Sequence, residues 1–278
     1  MKFDPNDTSM SARDKAFARF SVEGKNVVVT GGARGLGLAC VYALFEHGAT
    51  GALLLDINEP ALEKTKEALG KVFPDRKVLT KVVDVTDPKS IKQAVEYAVA
   101  NLASIDILLP FAGVGELTGP DDDDIENSWI HSWERILKVN LSGVYYTSIL
   151  FGEQMSENEN GGAIVMVASL VGHQGSGAIP HAYAASKAAI LNLRTTLADM
   201  YRGNSIRVNS ISPGFIDTDM TAPLPDAVRD IFSQITPIPR FGKVDEITGA
   251  VVLLASDAGS YMTGADILID GGALNSYM

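Results

Sequence analysis

The run Asn26-Val-Val-Val-Thr30-Gly31-Gly32-Ala33-Arg34-Gly35-Leu36-Gly37 (NVVVTGGARGLG) decides how this chain folds. Its first half is a short apolar strand; its second half is a glycine-rich turn that opens a helix over about Leu36–His47. Wholly apolar strands belong in sheets covered on both faces. Glycines at a strand-to-helix turn let the backbone come close to a bound group, and the helix N-terminus that follows favours an anion. The spacing is Gly-x-x-x-Gly-x-Gly, looser than the Gly-x-Gly-x-x-Gly of dinucleotide-binding turns. Gly31, Arg34, Gly35, Leu36 and Gly37 are candidate contacts to a phosphate group, with an ordinary glycine turn as the plain alternative.

Working outward, six more apolar runs read as strands: Ala52–Asp56 (ALLLD), Val78–Val85, Ile105–Leu109, Ala163–Ser169, Ile206–Ser212 and Ala265–Asp270. Helical patterns fall between them over Pro60–Phe73, Pro88–Ala103, Trp129–Met155, His181–Tyr201 and Val244–Ser256, with a short helix near Ala227–Ile235. Strands alternating with helices, joined by right-handed crossovers, predict a single doubly wound α/β domain of Rossmann type. The expected core is a seven-stranded parallel sheet with helices on both faces. Residues 1–22 read as an N-terminal arm and 23–278 as one domain. Asp56, at the end of the second strand, fits an acidic residue that accepts from a ribose diol and repels a 2′-phosphate. Arg34 argues the other way, because a cation beside the turn can pair with that phosphate. No basic residue follows Asp56 at once (Ile57 and Asn58 come next), so NAD is favoured, with NADP as the alternative.

Composition narrows the function classes. The 278 residues carry 23 basic and 34 acidic side chains, a balance that argues against a nucleic-acid or anionic-membrane partner. No apolar run is long enough to span a bilayer, and the polar start MKFDPNDTSMSARDK does not resemble a signal peptide. Cys40 is the lone cysteine, so intramolecular disulfides are excluded and a reducing compartment, by default the cytoplasm, is expected. The acidic run Asp121–Asp124 reads as a solvated insert, and no metal site is expected.

Tyr183 and Lys187 stand four apart in HAYAASKAAI, on one face of a predicted helix. A tyrosine titrating near ~10 is a poor base at neutral pH, and a neighbouring ammonium makes its phenolate more accessible. That pair suits a proton moving on or off an alcohol oxygen. Ser169 falls at the carboxyl end of a strand, the edge where ligands bind in open α/β sheets. The plain alternatives are that Ser169 caps a turn and that Asn140 satisfies backbone.

These pieces together resemble the short-chain dehydrogenase/reductase family over nearly the whole chain. The matching runs are TGGARGLG, Asp84-Val85, Val139-Asn140 in WERILKVNLSG, Ser169, Tyr183-Ala-Ala-Ser-Lys187, Pro213-Gly214 and the late DGG. The resemblance implies a catalytic tetrad of Asn140, Ser169, Tyr183 and Lys187, with Asn140 anchoring a water that leads towards Lys187. It implies that Asp84 and Val85 flank the adenine, that Ala112, Gly113, Pro213 and Gly214 line the cofactor, and that Ile216 and Thr218 hold the carboxamide. Tyr183 and Lys187 would also touch the cofactor. A lid over about 215–240 is expected, with Met220, Leu224 and Phe232 as apolar wall. His173 and Gln174 fall where the family lines its substrate pocket, and Trp129 and Trp133 read as packing residues. The expected partner is a small alcohol or ketone, with a polyol as first guess, in a homo-oligomer (tetramer or dimer). One departure stands out: Pro110-Phe111-Ala112-Gly113 replaces the usual Asn-Asn-Ala-Gly.

Overall fold

The computed structural model describes residues 9–115, 128–175 and 179–276. Seven strands form one sheet: β1 (Asn26–Thr30), β2 (Gly51–Asp56), β3 (Lys77–Val82), β4 (Ile107–Pro110), β5 (Gly162–Val167), β6 (Ile206–Pro213) and β7 (Asp266–Ile269). Their order is β3-β2-β1-β4-β5-β6-β7, and every pair is parallel. The order reverses between β1 and β4, which opens a crevice at the carboxyl ends of those strands. The fold expected from the sequence is the fold observed.

Eleven α-helices are described: α1 (Ala12–Phe20), α2 (Gly35–Glu46), α3 (Glu59–Val72), α4 (Pro88–Asn101), α5 (Ser128–Leu137), α6 (Val144–Met155), α7 (Leu170–His173), α8 (His181–Met200), α9 (Asp226–Ile235), α10 (Asp245–Ala255) and α11 (Ala273–Ser276). Alternation along each strand sorts them onto two faces. Val27 and Val29 of β1 join Leu54, Leu109 and Ile211 in an apolar layer covered by α2, α3 and α10. Val28 joins Leu53, Leu108, Ile164 and Val208 in a second layer covered by α4, α6 and α8. The helices begin where capping chemistry puts them. Asn58 Oδ1 accepts from the Ala61 N–H at 3.0 Å ahead of α3, and Asp87 Oδ1 from the Lys89 N–H at 2.9 Å ahead of α4, each beside a proline.

Three differences from the sequence reading bear on the site. The helix expected over 129–155 is broken into α5 and α6 by a π-helical turn at Lys138–Gly143, which carries Asn140. β3 stops at Val82, leaving Asp84 and Val85 in the following turn, and β5 stops at Val167, two residues short of Ser169. Within the stretch read as an arm, α1 forms behind a Ser11 cap, and none of its residues is buried. Asp121–Asp124 lie outside the described residues.

Two glycines in the opening run are fixed by close approach. Gly31 has φ +68°, and a Cβ there would lie 3.0 Å from the Ala112 backbone across the crevice. A Cβ on Gly37 would lie 2.4 Å from the Gly31 carbonyl oxygen, so the first turn of α2 sits flush on the loop before it. Alanine in a helix ordinarily gains about 0.5–1 kcal/mol over glycine. Here the obstacle is backbone, and overpacking costs about 1–3 kcal/mol. Gly37→Ala is therefore expected to lower stability in urea unfolding despite its better helix propensity; an unchanged or higher midpoint would contradict the contact.

Candidate active site

The carboxyl end of β5 and the start of α8 bring Ser169, Tyr183 and Lys187 together, and the π-helical turn that carries Asn140 packs against α8. Tyr183 lies in the first turn of α8, and Lys187 follows one turn later, 5% exposed. The Lys187 Nζ donates to the Val167 carbonyl at 2.9 Å, at the end of β5, and sits 5.5 Å from the centre of the Tyr183 ring. Burial lowers its pKa from the ordinary 10.5 to about 8. Ser169 N-caps α7: its Oγ accepts from the Val171 N–H at 3.4 Å and donates to the Pro213 carbonyl at 3.5 Å. The capping alternative for Ser169 is thus realised, and it leaves the hydroxyl beside Tyr183.

The titration of Tyr183 corrects an expectation. Burial pushes its pKa up from the ordinary 10, and the side-chain hydrogen bond with Ser169 draws it part of the way back. The lowering partner is Ser169, not the ammonium that the four-residue spacing suggested. Tyr183 therefore rests as a neutral phenol, a proton donor. Asn140, fully buried, spends its amide on the chain beyond β4: Oδ1 accepts from the Val114 N–H at 2.8 Å and Nδ2 donates to the Val114 carbonyl at 2.9 Å. That clasp ties the π-helical turn to the segment after β4, where a Cβ on Gly113 would lie 3.5 Å from Asn140 Oδ1, in ordinary contact.

The cofactor candidates line the crevice. Arg34 occupies the N-cap of α2 without a side-chain cap, so the opening amides of the helix keep their donors for a ligand. Gly35 has φ +58° with nothing within 4 Å of where a Cβ would stand, and that open space fits a pyrophosphate against the helix end. Leu36 turns instead into the apolar layer. Asp56 Oδ2 accepts from the Ala33 N–H at 3.3 Å and Oδ1 from the Asn58 N–H at 3.1 Å, tying β2 to the glycine turn. Asp84 Oδ1 accepts from the Thr86 N–H at 2.8 Å, and Val85 packs on Gly143. The Gly214 amide bonds to the Ile269 carbonyl at 2.9 Å, with no room for a Cβ against Asp270. Ile216 is buried and bridges to Gly242; the Thr218 amide donates to Thr221 Oγ1 at 3.0 Å.

The Pro110-Phe111 departure is accommodated from β1. The Thr30 carbonyl accepts from the Phe111 N–H at 3.2 Å, Thr30 Oγ1 accepts from the Ala112 N–H at 3.1 Å, and Phe111 packs on the apolar layer. Sequence reasoning missed Thr30, and also Asp219, which pairs with Arg34 at 3.4 Å and joins the glycine turn to the expected lid. Met220 touches Gly115 beyond β4, and Phe232 stacks on Phe215 at 4.1 Å, while Leu224 is half-buried. Trp129, 70% exposed, is not packed by the described residues, whereas Trp133, 42% exposed, has more than half of its surface covered. Gln174 is exposed, and His173 turns to β6 and β7.

A cavity of about 720 Å³ opens at the other edge of the sheet, by the amino ends of β5 and β6. Two of its cations cap the end of α10 there: Lys25 Nζ donates to the Ala255 carbonyl at 3.2 Å, and Arg207 to the Ser256 carbonyl at 3.4 Å. Among the described residues no group of His, Cys, Asp and Glu could hold a metal, and no helix is long and apolar enough to cross a membrane.

Residues 31–274 match the family described as Enoyl-(Acyl carrier protein) reductase. The chain is 38% identical over 252 residues to the 3-oxoacyl-(acyl-carrier-protein) reductase of Thermotoga maritima, covering 90% of this chain and 98% of that one. It is 34% identical over 258 residues to the NADP-dependent mannitol dehydrogenase of Hypocrea jecorina, covering 91% and 93%. The crystal structure of a short-chain type dehydrogenase/reductase from Mycobacterium marinum superposes with a TM-score of 0.83 at 32% identity, covering 92% of this chain and 97% of the other. This chain belongs to the short-chain dehydrogenase/reductase family, a family of oxidoreductases.

Lys187 gives the site a signature in stability. At neutral pH the folded and unfolded chains both carry its proton, and the fold bears a desolvation cost on the order of 3 kcal/mol. As pH rises from about 8 towards 10.5, the folded chain releases that proton first, so stability from this group increases across that window. Lys187→Met should stabilise the fold at neutral pH by on the order of 1–3 kcal/mol. The gain would read as about 2–4 °C of Tm per kcal/mol in calorimetry. A lower Tm would show that the Val167 contact outweighs burial.

Proposed function

We propose that the protein interconverts a secondary alcohol and its ketone on a polyol or sugar alcohol, with NAD as the favoured cofactor. The observation that carries this reading is the placement of Tyr183, hydrogen-bonded to Ser169 and set against the buried Lys187, at the edge where α2 presents an uncapped N-terminus. The nicotinamide, when bound, supplies or accepts the hydride. Tyr183 Oη gives its proton to the carbonyl oxygen in reduction and takes it back in oxidation. Ser169 Oγ hydrogen-bonds the same oxygen and fixes where it sits. Lys187, held at Val167, is assigned the ribose hydroxyls. Asn140 keeps the segment after β4 in place. Gly31, Arg34, Gly35, Leu36 and Gly37 are assigned the pyrophosphate; Asp84 and Val85 the adenine; Ala112, Gly113, Pro213, Gly214, Ile216 and Thr218 the nicotinamide end. A homo-oligomer, dimer or tetramer, would cover the exposed Trp129, Trp133 and Tyr145.

The preference for NAD rests on Asp56. A carboxylate has about four acceptor positions, and two are used here by Ala33 and Asn58. The rest suit a ribose diol, and the charge disfavours a 2′-phosphate. A second reading, an NADPH-dependent ketoreductase in biosynthesis, is favoured by Arg34. Its pairing with Asp219 joins two side chains 70% and 65% exposed, a weak contact that a phosphate could displace. The NADP-dependent mannitol dehydrogenase supports the cofactor of this second reading, and the 3-oxoacyl-(acyl-carrier-protein) reductase its substrate class. A cofactor-binding scaffold without turnover would have no need of Tyr183 and Lys187 together.

Two variants separate these readings. Tyr183→Phe should lose turnover of D-mannitol with NAD, and of D-fructose with NADH, by at least about 100-fold. NADH binding, followed by nicotinamide fluorescence, should stay near wild type; full activity in this variant would sink the assignment. Asp56→Asn keeps an acceptor for Ala33 but removes the charge. Hydrogen bonds to a charged group contribute about 1.5–3 kcal/mol, so the NADH-over-NADPH preference in Kd should fall about 10- to 100-fold. Wild-type protein that already prefers NADPH, and reduces an acetoacetyl thioester rather than D-fructose, would establish the second reading.

A further inference from the structure

The helix α7 is four residues long, far too short to be stable on its own, yet Ser169 is its N-cap. Something else must hold it. On one side it lies flush on α8: a Cβ on Gly172 would stand 2.8 Å from the Lys187 carbonyl group. At its far end is His173, whose Nε2 lies 2.9 Å from Asp266 Oδ2 on β7 and 3.2 Å from Ser212 Oγ on β6. Asp266 is itself 9% exposed; its Oδ1 accepts the Ser210 hydroxyl and sits 3.8 Å from the Arg194 guanidinium of α8. Ser210 and Ser212 are fully buried on one side of β6, and Ser212 precedes Pro213, whose carbonyl accepts from Ser169.

The composition of this cluster suggests a serine–histidine–aspartate relay, but the geometry excludes it. A relay needs both ring nitrogens, one towards the hydroxyl and one towards the carboxylate. Here both neighbours meet the same Nε2. The ring instead joins α7 to two strands of the sheet.

We propose that His173 is a positioning residue for Ser169: Asp266 and Ser212 hold its ring, the ring holds α7, and α7 sets the Ser169 hydroxyl against Tyr183. The consequence for turnover rests on the proposed function, but the placement can be tested without substrate. Ser169 lowers the pKa of Tyr183, so a displaced Ser169 lets that pKa climb.

The experiment is a pH titration of the intact protein labelled with [13Cζ]tyrosine, the Tyr183 resonance being assigned by its loss in Tyr183→Phe. Ser169→Ala sets the reference for a missing hydroxyl. His173→Leu should raise the Tyr183 midpoint towards that reference, and His173→Gln, whose side-chain amide can donate to the same carboxylate, should return it to wild type. In turnover of D-fructose with NADH, His173→Leu should cut kcat about 10- to 100-fold with the KM for NADH unchanged, as a misplaced reacting group does. A wild-type midpoint in His173→Leu, or no rescue by His173→Gln, would overturn the proposal. If His173→Leu does not fold, Asp266→Asn should raise the midpoint in the same direction, and its failure to do so would overturn it equally. A wild-type protein that turns over none of the probes defeats the functional reading while the titration still decides the clamp.

Discussion

An ammonium held almost out of water by one carbonyl is an arrangement a fold does not reach by packing alone, and the rest of the site is built around it. Lys187 sits beneath the end of β5, and β5 stops at Val167, whose carbonyl it takes. Because α7 must pass directly over the Lys187 backbone, its third residue is glycine. Because α7 starts there, Ser169 is placed at the cap, next to the first turn of α8 and Tyr183. The unfavourable burial and the favourable chemistry are one feature. Sites that need shifted pKa values commonly hold groups that reduce stability.

The same burial reverses the simplest account of the tyrosine. A lysine one turn away suggests a phenolate, but a lysine lowered to about 8 is itself under desolvation. In this structure desolvation dominates both groups, raising the tyrosine and lowering the lysine, so that Tyr183 holds its proton more tightly than Lys187 does. Tyr183 then starts as an acid, and Ser169 tempers how strongly it holds its proton. Reduction is the direction in which this resting form is already correctly protonated.

The architecture was legible because β1, β2, β4 and β5 are largely apolar and its helices begin at Asn58-Glu-Pro60 and Asp87-Pro88, signals that are local. What the sequence did not show depends on partners distant in the chain. The 129–155 pattern reads as continuous helix; the π-helical turn inside it carries Asn140, whose partner Val114 lies 26 residues away. Ser169 was legible as a residue type in the right place, with a cap as its plain alternative; the short helix that it caps was not, since the strand that precedes it ends early. His173 was placed near substrate by its position, whereas Asp266, 93 residues on, draws its ring to the sheet. Nothing near Asp266 in sequence announces that pairing. Trp129 and Trp133 were read inward by their aromatic character, and their exposure in the single chain shows that helical spacing alone does not say which face is covered.

Electrostatics sharpen what can decide cofactor choice. The chain carries a formal charge of −11, so its overall field opposes an anionic dinucleotide. At physiological ionic strength that field is screened beyond about 8 Å. Recognition then depends on donors within a few ångströms: the opening amides of α2, the ammonium of Lys187 and the guanidinium of Arg34. Asp56 is the countercharge in that set, and its carboxylate is oriented by two backbone amides rather than left free. Under the proposed function, a carboxylate fixed beside the glycine turn would discriminate by geometry, accepting from hydroxyls and excluding a second phosphate at one point. Arg34, long, exposed and loosely paired, has no such fixed direction. In the proposed site, preorganisation would give Asp56 the stronger hold on selectivity, even though the two opposite charges are of the same size.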